Sequence, residues 1–289
     1  MRQAWAVTKR VAVSFYDDQA THHAAALTYY ALLSLFPTLL LGVSLLGLLG
    51  EFPGTYDSIM SYLRDVVPAT TLAPLDDALR AAFRSKGTAA LALTISVLTV
   101  LYATTGYLEA ARRALNVVLE AGGGRGFLRR KLTDVISTAV LFTLILATLV
   151  LVFVGGDAAD EVAGPTAASV WRIVRWPAAL ASAMLVFSFV YYVTPDVKQR
   201  AFRWITPGAA AGVVVWIGAS ALFAEYLGRF GSVNVTYGSF TAAIILLFWL
   251  WLTNVALLFG AEVNAEIERE RQLAEGVPVS DTLDLPVRG

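Results

Sequence analysis

The chain has 289 residues, 57% hydrophobic and only 15% charged, with a mean hydropathy of +0.64. A soluble domain carries about 25% charge, so the deficit points to a membrane as the solvent. The 22 basic and 22 acidic side chains cancel, which argues against a nucleic-acid binder, and the absence of cysteine excludes disulfides and thiolate metal sites.

No Asp, Glu, Lys or Arg occurs within 19–50, 87–108, 135–156, 176–195, 204–224 or 230–261. A helix rises about 1.5 Å per residue, so roughly 20 apolar residues cross a hydrocarbon core of about 30 Å. The six stretches predict an all-α fold: a polytopic integral membrane bundle of six transmembrane helices. Its parts are an interfacial N-terminal segment 1–24, a transmembrane domain 25–265 and a tail 266–289 that is disordered after Arg271.

Residues 1–18 suit an amphipathic helix on the membrane surface, with Trp5, Phe15 and Tyr16 at the interface. The first apolar run reads as a retained span rather than a removed signal peptide. Span one, about 25–49, contains Pro37, which removes a backbone donor and predicts a kink. Its residues Tyr30, Ser34, Pro37, Leu41 and Ser44 share one face. The connection 51–86 has three prolines and predicts two short helices near 55–67 and 74–85. Span two, about 88–108, has a polar, small face of Ser96, Thr99, Tyr102, Gly106 and Glu109. A basic loop follows, with Arg112, Arg113, Arg125, Arg129, Arg130 and Lys131. Its glycine run 122–126 lacks the phosphate-loop pattern and reads as a hinge.

Span three covers about 133–155 and span four about 176–194. Span five, about 207–227, opens with Pro207 in a favoured first-turn position. Gly208 and Gly212 form a small-xxx-small pair that permits close helix packing, within one chain or in a homo-oligomer. Span six, about 238–262, holds Trp249, Trp251 and Asn254. With the N-terminus cytoplasmic, fifteen Lys and Arg lie inside and seven outside. The positive-inside rule then places both termini in the cytoplasm.

Hydrocarbon enforces helices whatever their function, so function rests on side chains that lipid does not select. No ionisable group sits within the six stretches, which weighs against a proton pump or voltage sensor. Neutral polar residues offer a substrate pathway instead: Tyr30, Ser34, Pro37, Thr99, Tyr102, Tyr191, Tyr192 and Asn254. Bonding to their own helix, or between helices, is the plainer role of each. Glu109, Glu225, Glu262 and Asn264 end spans and are gating candidates; Glu109 is also at helical spacing for a local pair with Arg112 and Arg113. The cations Arg112, Arg113, Arg129, Arg130 and Lys131 suit anionic lipid headgroups or simply set the topology. The adjacent His22 and His23 point to different sides of a helix and make no shared metal site. The residues predict no catalytic set, no metal and no cofactor.

The segment from His23 through Thr28-Tyr29-Tyr30 to Pro37 resembles the first span of the YihY/BrkB family of bacterial inner-membrane proteins. Arg112-Arg113-Ala114-Leu115-Asn116, Thr194-Pro195, Pro207-Gly208, Tyr237-Gly238-Ser239, Trp249-Leu250-Trp251 and Gly260 through Asn264 are similar to that family's later motifs, in order. The resemblance covers roughly 15–265. It implies a six-span membrane protein with no established catalytic residues. Its old ribonuclease label is regarded as mistaken, and its members are linked to serum resistance and proposed to transport solutes or lipids. The expected function is therefore transport or translocation of an unidentified solute or lipid. A non-transporting envelope scaffold is the alternative, and an intramembrane enzyme ranks third. The expected partners are the bilayer and its anionic headgroups, not nucleic acid.

Overall fold

In a computed structural model the described residues are 2–49, 86–121, 124, 126–153, 156–197, 204–230, 239–277, 283–286 and 288. They form seven helices and no β-strand. These are α1 (Arg2–Asp17), α2 (Ala20–Leu49), α3 (Lys86–Val118), α4 (Phe127–Phe153), α5 (Gly156–Val193), α6 (Pro207–Phe230) and α7 (Ser239–Ala274). Among the described residues, four segments are long and apolar enough to cross a membrane: Phe127–Thr148, Thr166–Val193, Pro207–Arg229 and Ala243–Ala274. Only 22–28% of the most apolar stretch of each is buried by the protein, which leaves most of the surface for lipid. The two short helices expected in 51–86 lie outside the described residues.

The helix ends follow local chemistry. α1 and α2 meet at a corner where Gln19 takes φ 52°, an uncommon conformation for a residue with a Cβ. α2 continues through Pro37 as helix. α3 ends in a Schellman turn: the Ala121 N–H donates to Asn116 O (2.8 Å) and the Glu120 N–H to Val117 O (3.0 Å), with Glu120 at φ 52°. α5 is broken at Gly164, whose φ of 80° only glycine adopts readily. Pro207 starts α6 as its first helical residue, and the Thr206 hydroxyl caps it by accepting from the Ala209 N–H at 3.0 Å. α7 runs well past the expected end of span six and closes on Gly276 at φ 78°.

Two compact units divide the chain. The first comprises Met1–Leu27, Leu108–Glu225 and Trp251–Gly289; the second comprises Thr28–Tyr107 and Tyr226–Leu250. Within the first, α4 packs along α5, and Thr148 and Ser182 share a hydroxyl hydrogen bond of 2.7 Å. Its core includes Val11, Ala24, Leu27, Leu115, Val213 and Leu258. Phe15, expected at the interface, packs edge-on against Phe259 at 6.2 Å. Tyr16 stays exposed.

Gly208 and Gly212 lie against α7. A Cβ on Gly208 would strike the Gly260 carbonyl and Asn264, and one on Gly212 would sit 2.9 Å from the Ala256 carbonyl. The small-xxx-small pair thus serves packing within the chain.

In the second unit, Tyr30 of α2 packs its ring over Gly106 of α3, where a Cβ would come within 2.8 Å. Tyr29 and Tyr30 contact each other edge-on at 5.3 Å.

Candidate functional site in the charged helix ends

The first unit gathers acidic residues from the ends of its helices and buries them. Arg112 of α3 is 2% exposed. Its Nη1 donates to Glu109 at 2.6 Å, its Nη2 to Asp134 of α4, and its Nε lies 3.8 Å from Asp196. Asp134 and Asp196 are each 2% exposed. A buried carboxylate needs a cation or several donors, and one guanidinium supplies the charge here. The Asn116 amide locks the same corner: its Nδ2 donates to Asp196 Oδ2 at 3.1 Å, and its Oδ1 accepts from the Asp196 N–H at 2.9 Å.

A second group lies on α1, the end of α3 and α7. Arg10 donates to Glu266 at 2.8 Å and to Glu270. The Glu266 hydrogen bond holds the Arg10 guanidinium above its ordinary range against burial. Arg269 donates to Glu120 at 2.7 Å and lies 3.3 Å from Glu266. Asp18, at the α1–α2 corner, lies beside the Glu262 carboxyl, and burial pushes Asp18 above the usual carboxylate range. Glu262 is 1% exposed.

Described residues after Arg271, in the tail expected to be disordered, also meet these groups. Gln272 and Asp284 exchange two hydrogen bonds of 3.2 and 3.1 Å. The Leu283 N–H donates to Glu120 Oε2 at 2.6 Å. The Arg288 guanidinium donates to the Tyr192 carbonyl at 2.7 Å and lies over the Tyr192 ring, while the Arg288 backbone N–H donates to Asp196 O at 2.7 Å. Burial lowers the Arg288 pKa, with Tyr192 and Asp196 opposing.

The matches to family motifs become contacts in this unit. Asn116 meets the Thr194-Pro195-Asp196 corner. Asn264 accepts from the Gly208 N–H at 2.8 Å and donates to Thr206 at 3.0 Å. The sequence model of the family described as virulence factor BrkB matches residues 11–282. The chain belongs to the BrkB family. Among the relatives of this BrkB-family chain is the ribonuclease-like protein YfkH of Bacillus subtilis, 29% identical over 260 residues, 88% of this chain and 92% of YfkH. A UPF0761 membrane protein of Kangiella koreensis is 25% identical, covering 96% of this chain and 70% of its own. The UPF0761 membrane protein of Pseudomonas aeruginosa is 26% identical, covering 89% of this chain and 61% of its own. No solved structure matches the chain. The BrkB-family chain is thus a membrane protein with long apolar helices.

The sequence-predicted residues fall in different settings. In the second unit, the Ser34 and Thr99 hydroxyls donate to their own helix, at Ala31 O (2.8 Å) and Ile95 O (2.7 Å). Pro37 is half-buried in α2. Tyr30 and Tyr102 are exposed, Tyr102 to 82%. In the first unit, the buried Tyr191 hydroxyl donates to Leu257 O at 2.6 Å, Tyr192 receives Arg288, and Asn254 is buried.

The gating candidates also separate. Glu109 pairs with Arg112 and, at 3.5 Å, with Arg113. Glu262 and Asn264 both lie inside the helix they were expected to end, while Glu225 is exposed. Of the headgroup candidates, Arg112 is turned inward onto Asp134, whereas Arg113 and Arg129 are exposed and Arg130 and Lys131 half-buried.

Sequence reasoning missed Asp18, Asp134, Asp196 and Glu266. A signal was present for three of them: Asp18, Asp134 and Asp196 directly flank charge-free stretches, as Glu109 and Glu262 do. Five acidic residues that directly flank such stretches are what a buried ion network among helix ends requires.

Proposed function

We propose that the chain translocates a lipid or a neutral polar solute across a membrane, with α2–α7 as six spans and both termini in the cytoplasm. The observation behind this reading is the exposure of phenols in the second unit. Tyr29, Tyr30 and Tyr102 lie within charge-free stretches and are 58%, 36% and 82% exposed. A phenol hydroxyl in hydrocarbon gains from a partner, which a passing headgroup, solute or groove water supplies. Arg113 and Arg129, exposed in the first unit, suit anionic headgroups.

The competing role for these tyrosines is an aromatic belt at the membrane boundary, as in a non-transporting scaffold. Reconstitution with fluorescent phospholipids and neutral solutes separates the two. Translocation requires that Tyr30→Phe/Tyr102→Phe slow movement at unchanged stability. Equal rates for variant and wild type would leave the phenols as a belt.

A further inference from the structure

We infer that Asp18 and Glu262 form a proton-binding site that clasps the α1–α2 corner to α7. Two carboxyls hydrogen-bond each other only when one proton lies between them, because ionised carboxylates are acceptors alone. The Asp18 and Glu262 carboxyls lie within hydrogen-bonding reach of each other, a proximity that two ionised carboxylates resist. Independently, Glu262 is 1% exposed, and its Oε1 has no donor. A buried carboxylate oxygen without a donor is the state that protonation relieves.

The surroundings reinforce this assignment. From α1, Arg10 is taken by Glu266 and Glu270, and Asp17 adds negative charge near Asp18. From the end of α3, Glu120 faces Asp18, with one oxygen bonded to Arg269 and the other to the Leu283 N–H. From α7, Glu266 faces Glu262, its two oxygens held by Arg10 and Arg269. From α2, His23 favours ionised Asp18 electrostatically. The two arginines are therefore already shared among three carboxylates. Ionising both Asp18 and Glu262 would add two charges with no guanidinium for either. The pair titrates as a unit, so the proton belongs to both residues.

The site binds its proton at the one place where α1 turns into α2 through the unusual Gln19 conformation. Loss of the proton sets like charges against each other across that corner and releases it from α7. This inference stands apart from the translocation reading, since proton binding is measurable without transport.

Infrared spectroscopy of the purified full-length chain in nanodiscs, titrated from about pH 5 to about pH 11, spans the carboxyl range and its raised tail. The expected result is one protonated-carboxyl C=O band at neutral pH that disappears on alkalinisation. Glu262→Gln should abolish it, while Asp18→Asn, which leaves the buried Glu262 carboxyl in place, should shift its frequency and the pH at which it disappears; the half-buried corner residue carries the test if the α7 variant fails to fold. Amide exchange, corrected for intrinsic rates, should accelerate at residues 18–23 as the band vanishes, and stay slow in the neutral Asp18→Asn/Glu262→Gln pair. A wild-type chain without the band at neutral pH, or a band that survives Glu262→Gln or is unmoved by Asp18→Asn, overturns the assignment. So would sodium, rather than a proton, slowing exchange at the corner.

Discussion

Replacing Arg112 with Met removes the one cation that three acidic residues share. Asp134 is 3% exposed at the side chain, and its Oδ2 already has no hydrogen-bond partner. Asp196 keeps the Asn116 amide at 3.1 Å, and Glu109 is 31% exposed and reaches water. The cost therefore falls on Asp134. Breaking a buried ion pair by removing one partner costs about 3–5 kcal/mol, whereas replacing both partners with apolar groups is often neutral. Arg112→Met should lose about 3–5 kcal/mol on that basis. Asp134→Leu should cost less, because Arg112 retains Glu109 and Asp196. The Arg112→Met/Asp134→Leu pair should recover part of the loss, with a coupling energy of about 1–3 kcal/mol. Unfolding by denaturing detergent in mixed micelles, followed by fluorescence of the seven tryptophans, measures all four corners of the cycle. An Arg112→Met loss below about 1 kcal/mol, or strictly additive losses, would refute the buried network as described.

Gly208→Ala drives a methyl into the Gly260 carbonyl and should destabilise by at least about 1–3 kcal/mol, while Gly218→Ala, with open space around it, should be tolerated; the same unfolding assay compares them. Tyr191→Phe deletes a buried 2.6 Å hydrogen bond to Leu257 O and should cost about 0.5–1.5 kcal/mol, since that carbonyl keeps its helical donor within α7. The raised Asp18 pKa means that the folded chain holds a proton the unfolded chain releases above its ordinary value of 3.8. Stability should therefore fall as pH rises from that value through the raised one, and Asp18→Asn should flatten this component of a pH–stability profile.

The helices were legible because hydrocarbon tolerates little else, and the charge-free stretches mark their apolar lengths directly. Pro207 and the Gly208–Gly212 spacing foretold the start of α6 and its close packing, since both depend on local geometry. Glu109 and its arginines were legible for the same reason, at helical spacing. Asp134 and Asp196 were not, because they meet Arg112 from 22 and 84 positions away in the chain. Read singly, each looks like a solvated span end. Glu120 and Asp196 also meet described residues of the tail, Leu283 and Arg288, contacts that no local spacing announces. The absence of charge inside the stretches weighs against a relay of isolated ionisable groups along one span. It said nothing of carboxyls paired at the boundaries.

Translocation itself is tested most directly in proteoliposomes of the wild-type chain, loaded with a fluorescent phospholipid in both leaflets and exposed to a membrane-impermeant quencher. The account predicts loss of more than the outer-leaflet signal, or in parallel vesicles the release of a neutral polar solute, faster than in protein-free vesicles. Movement no faster than in protein-free vesicles, for every lipid and solute tried with folded protein present, would contradict it.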